Sequence, residues 1–255
     1  MSAKIVSVVN QKGGVGKTTT AVNLATIFAI MDKKTLLIDI DSQGNSSSGL
    51  GIEQSQRKVT SYHIFCSLDS VKNAVIQTEV PNLSVIASNT NLAGVELELF
   101  GQEGHEFILK NALESIKDDY DYIIIDCPPS LNLLTLNALV ATNEIIIPML
   151  CDFYSLEGLS HLLKTVEIVE KKLNPQIKIG GILFTMYDKR HKLTEQVERD
   201  VRSCLGAMVY NTTIPRNVRV SEAPSHGKAA VIYDHHCSGA RAYISLAKEI
   251  MSKET

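Results

Sequence analysis

The sequence predicts an α/β fold, a mostly parallel sheet flanked by helices on both faces. Apolar runs of strand length alternate along the chain with segments whose apolar residues recur at helical spacing, a pattern typical of such sheets. A chain of 255 residues with 44% hydrophobic residues can also bury a large core. Because α/β folds of this length are routinely one domain, we expect a single domain over residues 1–255.

The order of the elements follows from these two periodicities. A short apolar run bounded by turn residues predicts a strand, and a longer segment with one apolar face predicts a helix. The predicted strands are residues 5–9, 36–40, 83–87, 122–125, 145–148, 179–184 and 209–214. The predicted helices are residues 18–31, 131–141, 156–173 and 193–205.

Composition and charge narrow the classes of protein to consider. Five cysteines without a Cys-x-x-Cys spacing favour neither a disulfide framework nor a zinc site. No apolar run reaches membrane-helix length and the first residues do not resemble a signal peptide, so we expect a cytoplasmic protein. The net charge is −3, yet residues 189–241 carry nine Lys or Arg against five Asp or Glu, a local net charge of +4. This uneven distribution predicts one basic region on an acidic protein.

A phosphate-binding loop follows the first predicted strand and precedes the first predicted helix. Gly13, Gly14 and Gly16 allow consecutive backbone N–H groups to turn toward phosphates, and the helix N-terminus adds partial positive charge. Lys17 is expected to reach the β and γ phosphates, and the Thr18 hydroxyl to ligate Mg²⁺. The alternative, an ordinary glycine-rich turn, explains the Gly-Lys-Thr spacing poorly. ATP and Mg²⁺ are therefore the expected cofactors.

The loop departs from the common phosphate-loop pattern at two positions. Gln11 stands where glycine is usual, and Lys12 adds a second lysine. With these residues the segment 9–20 resembles the MinD/ParA superfamily of deviant Walker ATPases, and most closely its partition branch, ParA/Soj. The resemblance implies a P-loop NTPase fold and a homodimer in which Lys12 reaches the partner's phosphates. The residues it implies for nucleotide binding are Lys12, Gly13, Gly14, Val15, Gly16, Lys17, Thr18 and Thr19.

Two aspartates end the second predicted strand. Asp39 and Asp41 alternate, so their side chains point the same way from the strand end and can crowd around one Mg²⁺ and one water. The segment resembles the family element D-x-D-P-Q-G-N, which implies that Asp39 supports the metal and that Asp41 orients or activates the attacking water. Ser42 replaces the usual proline, so we expect a less rigid loop.

A third carboxylate follows the predicted strand 122–125. Asp126 after four apolar residues predicts a group that holds Mg²⁺ through its water shell, once a phosphate loop is present. The segment Asp126-Cys127-Pro128-Pro129-Ser130 resembles the family's switch segment. Cys127 is expected to be a small buried residue rather than an iron-sulfur ligand, because no second cysteine has a suitable spacing.

The C-terminal third resembles ParA/Soj as well, whereas residues 53–106 resemble it least. The family match implies that Pro215, Arg216 and Asn217 line the adenine pocket and that Arg190 and Arg219 bind DNA without sequence preference. Arginines suit backbone phosphates, although solvated surface charge is a real alternative. His235 and His236 are expected to be solvated loop residues, because adjacent side chains point apart and no third metal ligand is evident.

The resemblance implies an ATP-dependent partition protein. ATP would close a homodimer on non-specific double-stranded DNA, and a ParB-type centromere-binding protein would stimulate hydrolysis, with a cytoplasmic, nucleoid-associated location. Two alternatives remain: a MinD-like membrane-cycling ATPase and a small-molecule ATP-dependent enzyme on the same fold. Residues 240–255 carry only a modest apolar stripe with acidic residues, so we expect a helix packed on its own domain rather than a membrane anchor.

Overall fold

A seven-stranded sheet forms the centre of the structure, a computed structural model that describes residues 2–66 and 71–253. In sequence-order numbering the strands lie in the order β3-β4-β2-β5-β1-β6-β7, and every neighbouring pair is parallel except β3 with β4. The predicted α/β fold with a mostly parallel sheet is therefore confirmed. The strands are β1 Lys4–Val8, β2 Thr35–Asp39, β3 Val75–Gln77, β4 Leu83–Ile86, β5 Tyr122–Asp126, β6 Glu144–Met149 and β7 Lys178–Phe184.

Helices cover both faces of this sheet, and the four predicted ones are confirmed with shifted ends. The shifts at α6 and α7 arise because Asn132 and Asp152 cap these helices, each accepting a backbone N–H with its side chain. The helices are α1 Lys17–Ile30, α2 Asn45–Gly49, α3 Ser61–Cys66, α4 Val95–Glu98, α5 Ile108–Leu113, α6 Leu133–Ala141, α7 Phe153–Lys172, α8 Lys192–Leu205, α9 Val218–Glu222, α10 Ala230–Tyr233 and α11 Ser238–Ser252.

The core consists of two apolar layers, one on each face of the sheet. On β5, Ile123 and Ile125 face the layer that includes α5 to α8, while Ile124 faces the layer of α1 and α11. These strand residues are fully buried, as expected for parallel strands covered on both sides. The carboxyl ends of β1, β2 and β5 consequently meet at one edge, where the candidate site lies.

The prediction of a strand at residues 209–214 is wrong. Backbone hydrogen bonds join the segment to β7 near its two ends: Tyr210 N donates to the Ile182 carbonyl at 3.0 Å, and Ile214 N donates to the Phe184 carbonyl at 2.8 Å. Between them, the carboxylate of Glu249 on α11 accepts the backbone N–H groups of Asn211 and Thr212 at 2.8 and 3.0 Å. The segment therefore bends toward α11 instead of extending the sheet.

No helix among the described residues is long and apolar enough to cross a membrane. The predicted C-terminal helix is confirmed as α11, although residues 254 and 255 lie outside the described range. Its apolar residues Tyr243, Leu246 and Ile250 are buried against α1 in the second core layer.

Candidate nucleotide site

The phosphate loop, residues 12–19, follows β1 and includes the first residues of α1, so its position between a strand and a helix is as predicted. Gly14 and Gly16 have φ of 73° and 85°, a left-handed conformation that favours glycine. Thr185, just after β7, fixes the loop by donating its hydroxyl to the Val15 carbonyl at 2.8 Å. The loop is thus held in a conformation that few other residues could adopt at these two positions.

Lys17 points inward from the first turn of α1. Its side chain is 7% exposed, and Nζ donates to the Lys12 carbonyl at 2.9 Å, which places the ammonium group over the loop. Burial lowers the pKa of Lys17, although the nearby carboxylate of Asp126 favours the charged form. A buried ammonium beside backbone N–H groups can bind phosphate oxygens.

Lys12 lies instead at the rim of the loop and forms an ion pair. Its Nζ is 2.6 Å from Asp152 Oδ2, the capping residue of α7, and 3.4 Å from Ser155 Oγ. Burial alone would raise the pKa of Asp152, but hydrogen bonds from Lys12 and Ser155 outweigh it and hold that pKa below its ordinary value. About a third of each charged side chain is exposed, so Lys12 is accessible from outside its own loop.

Asp39 and Asp126 are register partners at the ends of β2 and β5, and both are fully buried. Burial raises the pKa of each carboxyl, with mutual repulsion adding to the effect at Asp126, although the Ser46 and Thr18 hydroxyls favour its carboxylate. Asp126 Oδ1 has no hydrogen-bond partner among the described residues.

An unpaired, buried carboxylate oxygen beside a second carboxylate and a threonine hydroxyl fits a Mg²⁺ ion with its water shell. The described residues contain no group of three His, Cys, Asp or Glu that could hold a metal alone. Mg²⁺ here would therefore depend on nucleotide phosphate oxygens in addition to the Thr18 hydroxyl, which the sequence predicts as a ligand. The metal roles of Thr18, Asp39 and Asp126 stay predictions.

Asp41 is 8% exposed and lies just beyond β2. Its Oδ1 accepts the Gln43 backbone N–H at 3.0 Å, and its backbone carbonyl accepts the Ser88 hydroxyl at 2.5 Å. The Asp41 backbone N–H donates to Asp39 Oδ1 at 3.2 Å, so the two aspartates are brought together at the strand end. The role of Asp41 in orienting water remains a prediction.

Four polar residues of the site were not predicted from the sequence: Ser46, Ser47, Ser88 and Asp152. Ser46 donates its hydroxyl to Asp126 Oδ2 and Ser47 donates its own to Asp39 Oδ2, each at 2.7 Å. The run of serines after Gly44 was a usable signal for such donors. Ser88 and Asp152 follow strand ends, which is a much weaker signal.

A cavity of about 320 Å³ adjoins the phosphate loop and includes the predicted adenine-binding residues. Asn217 is fixed there, because its side chain caps α9 and donates to Ser238 Oγ at 3.0 Å. The structure thus brings residues 215–217 and the loop together across some 200 positions of sequence. Residues lining the cavity include Gly16, Thr19, Thr185, Met186, Pro215, Arg216, Asn217 and Tyr243.

A larger open cleft of about 870 Å³ shares residues 215–217 with this cavity. We call it the basic cleft, because Lys189, Arg190, Arg216 and Arg241 line it. Arg190 pairs with Asp188 at 2.6 Å.

Arg219 follows the cleft residue Val218 but does not itself line the cleft. It pairs with Glu222 at 3.0 Å and with Asp234 at 3.7 Å. Both predicted DNA-binding arginines are exposed, yet each already has an acidic partner.

Two smaller expectations have different outcomes. Cys127 is fully buried, as predicted. The expectation that His235 and His236 point apart is wrong, because their ring centroids lie 3.8 Å apart in the turn before α11. They form no metal-binding group with other described residues.

Comparison with known proteins gives consistent matches over the chain. A family model described as an AAA domain matches residues 3–179. The chain is 51% identical to the sporulation initiation inhibitor protein Soj of Bacillus subtilis, over 97% of this chain and 98% of Soj. It is 49% identical to the chromosome partitioning protein ParA of Caulobacter vibrioides, over 98% of this chain and 95% of ParA.

Two solved structures represent other functions on the same fold. Cobyrinic acid a,c-diamide synthase from Mycobacterium smegmatis, with a bound ATP analog and magnesium, superposes with a TM-score of 0.86 at 31% identity, covering 99% of this chain and 96% of that chain. The cell division ATPase MinD of Pyrococcus furiosus gives 0.81 at 26% identity, covering 98% and 99%.

Proposed function

The chain belongs to the ParA/Soj family of chromosome-partitioning ATPases, and from this premise we propose that ATP switches its affinity for DNA. ATP with Mg²⁺ occupies the phosphate loop and closes two copies into a sandwich dimer. The dimer binds double-stranded DNA without sequence preference in the nucleoid of the cytoplasm. A ParB-type centromere-binding protein then stimulates hydrolysis, and the separated copies leave the DNA.

One observation carries this proposal: the cavity beside the phosphate loop and the basic cleft share Pro215, Arg216 and Asn217. A base bound in the cavity would contact the same short segment that lines the basic surface. Nucleotide binding and DNA binding can therefore influence each other through three consecutive residues. Closing two copies would also join two weak basic surfaces into one bivalent surface, which multiplies affinity through effective concentration.

The membrane-cycling alternative finds less support. It requires an amphipathic helix with a free apolar face. In this chain the apolar face of α11 is buried against α1, with Leu246 fully buried and Ile250 3% exposed. The small-molecule enzyme alternative rests on a relative at 31% identity, whereas the partition proteins are 49–51% identical.

The proposal is tested by nucleotide-dependent DNA pelleting. The full chain is mixed with duplexes of unrelated sequence in the presence of ATP, ADP or no nucleotide. We expect pelleting only with ATP and with little dependence on sequence. Equal pelleting in all three states, or none with ATP, contradicts the DNA switch.

Charge reversals identify the surface. Arg190→Glu or Arg219→Glu should lower DNA affinity for all sequences by roughly tenfold or more, because phosphate contacts carry non-specific binding. Lys171→Glu is the matched control: it also reverses one member of an exposed ion pair, with Glu167, but on α7. If Lys171→Glu weakens binding as much as the two arginine variants, net charge rather than this surface determines affinity.

A further inference from the structure

Arg57 is a buried arginine beside the loop that carries Asp41. Arg57 is 8% exposed and follows the short helical turn Gln54–Gln56, in the segment where the family resemblance is weakest. The described part of the chain gives Arg57 no ion-pair partner. Burial lowers the pKa of Arg57, and the nearby Asp39 carboxylate acts in the opposite direction without forming an ion pair with it. Burying a charge outside ion-pair distance of a carboxylate is unfavourable for folding, so the guanidinium calls for another explanation.

The guanidinium bridges three segments through directed hydrogen bonds. Nη2 donates to Ser48 Oγ and to the Ile52 carbonyl, both at 2.8 Å, and Nε donates to the same carbonyl at 3.2 Å. Nη1 donates to the Ser88 carbonyl at 3.3 Å, at the end of β4. A Cβ on Gly44 would lie 2.6 Å from Nη1, so the group packs directly on the backbone of Gly44.

These segments are the ones that fix Asp41. The Asp41 carbonyl accepts Gly44 N at 2.9 Å and Ser88 Oγ at 2.5 Å. Ser88 N in turn donates to Ser47 Oγ at 3.0 Å. Arg57 therefore lies where the segment 41–48, which includes the start of α2, meets the residues just beyond β4. Ser42 stands in this segment where the family element has proline, so we expect the segment to be less rigid by itself. Its conformation then depends more on contacts from outside, such as those of Arg57.

We propose that Arg57 is a positioning residue for ATP hydrolysis, which holds the segment 41–48 against the residues just beyond β4 so that Asp41 faces the attacking water. The inference rests on the proposed function, in which Asp41 orients that water. No hydrogen bond joins Arg57 to the described phosphate loop. Arg57 thus acts through Asp41, and nucleotide binding should be largely independent of it. A planar guanidinium with fixed donors can span three acceptors that a single lysine ammonium cannot.

Steady-state hydrolysis of Mg-ATP by the full chain, without DNA, tests this role. Arg57→Met and Arg57→Lys should each lower kcat by roughly tenfold or more while KM changes by less than about threefold, since misplacing a water-orienting group affects the chemical step. The affinity for a fluorescent ATP analogue should match that of the parent. Lys58→Met, at the exposed neighbouring position, is the control and should change neither parameter.

A double-variant cycle separates positioning from loss of fold. Ser48→Ala removes one acceptor of Arg57 and should lower kcat by about two- to fivefold, and adding it to Arg57→Met should lower kcat little further. If Arg57→Met unfolds below the assay temperature, the kcat of Ser48→Ala alone decides whether the contact of Arg57 positions Asp41. Parent-like kcat, a rise in KM alone, or additive effects overturn the role of Arg57. A parent chain without ATP hydrolysis overturns the proposed function as well.

Discussion

At the scale of single residues, the site depends on two carboxyl groups that are costly to bury. Asp39 and Asp126 are fully buried side by side, and burial raises the pKa of both above the ordinary value of an aspartate. The serine hydroxyls of α2 offset only part of this cost. The two buried carboxyl groups therefore lower the stability of the nucleotide-free protein but leave the site preformed, a trade-off that is common at functional sites.

The raised pKa values predict how stability depends on pH. A carboxyl whose pKa is higher in the folded than in the unfolded protein does not lower the free energy of unfolding below about pH 4. It lowers that free energy increasingly as the pH rises toward its folded pKa. Asp126→Asn should therefore raise the melting temperature of the nucleotide-free protein by at least about 2 °C at pH 8, with a smaller gain at pH 5. Differential scanning calorimetry in EDTA measures this.

Asp118→Asn, at an exposed position, is the matched control and should leave the melting temperature unchanged at both pH values. A variant Asp126→Asn that is less stable than the parent at pH 8 would show that the carboxylate is favourably placed in the fold itself.

At the scale of elements, much of the site could be predicted because its signals are local. The phosphate loop was predicted because three glycines, Lys17 and Thr18 stand within a few positions of one another. Partners that depend on tertiary contact could not be found in this way. Ser88 contacts Asp41 from 47 positions away, and Asp152 contacts Lys12 from 140 positions away.

The errors in strand prediction have a similar origin. The antiparallel strand β3 has only three residues, too few for a visible alternation pattern. Residues 209–214 look apolar enough for a strand, but the acceptor for their backbone N–H groups is Glu249 on a helix that comes later in the chain. Competition between a side-chain carboxylate and a sheet edge is decided by packing, which residue types alone do not reveal.

The packing of α11 gives a prediction at this scale. Leu246 is fully buried between α11 and α1, so Leu246→Ala should lower the free energy of unfolding by about 2–5 kcal/mol. The control Leu193→Ala lies on α8, where the side chain is 51% exposed, and should cost less than about 1 kcal/mol. Urea denaturation measures both. Similar losses for the two variants would mean that α11 does not pack as described, and the membrane-helix alternative would regain support.

At the scale of the whole molecule, three features lie together at one edge of the sheet. The phosphate loop and the three aspartates form a site suited to Mg-ATP, and the basic cleft adjoins the cavity beside that loop. Lys12 lies at the rim of this edge, where it is accessible to another molecule. A second copy closing over this edge would face Lys12 and enlarge the basic surface at once.

In the proposed switch, dimer closure and not ATP binding alone creates DNA affinity. Two variants separate these steps. Asp41→Ala should bind Mg-ATP, close, and hydrolyse it extremely slowly, because the phosphate loop is intact and the water-orienting group is gone. Lys12→Ala should keep much of the ATP affinity, since Lys17 remains, but should fail to close.

The most direct measurement is the fluorescence anisotropy of a labelled duplex of arbitrary sequence, titrated with each variant in ATP at one salt concentration. We predict that Asp41→Ala binds the duplex at least about tenfold more tightly than Lys12→Ala, because a closed dimer presents two linked basic surfaces. Equal DNA affinities, with ATP binding verified by calorimetry for both variants, would contradict the account.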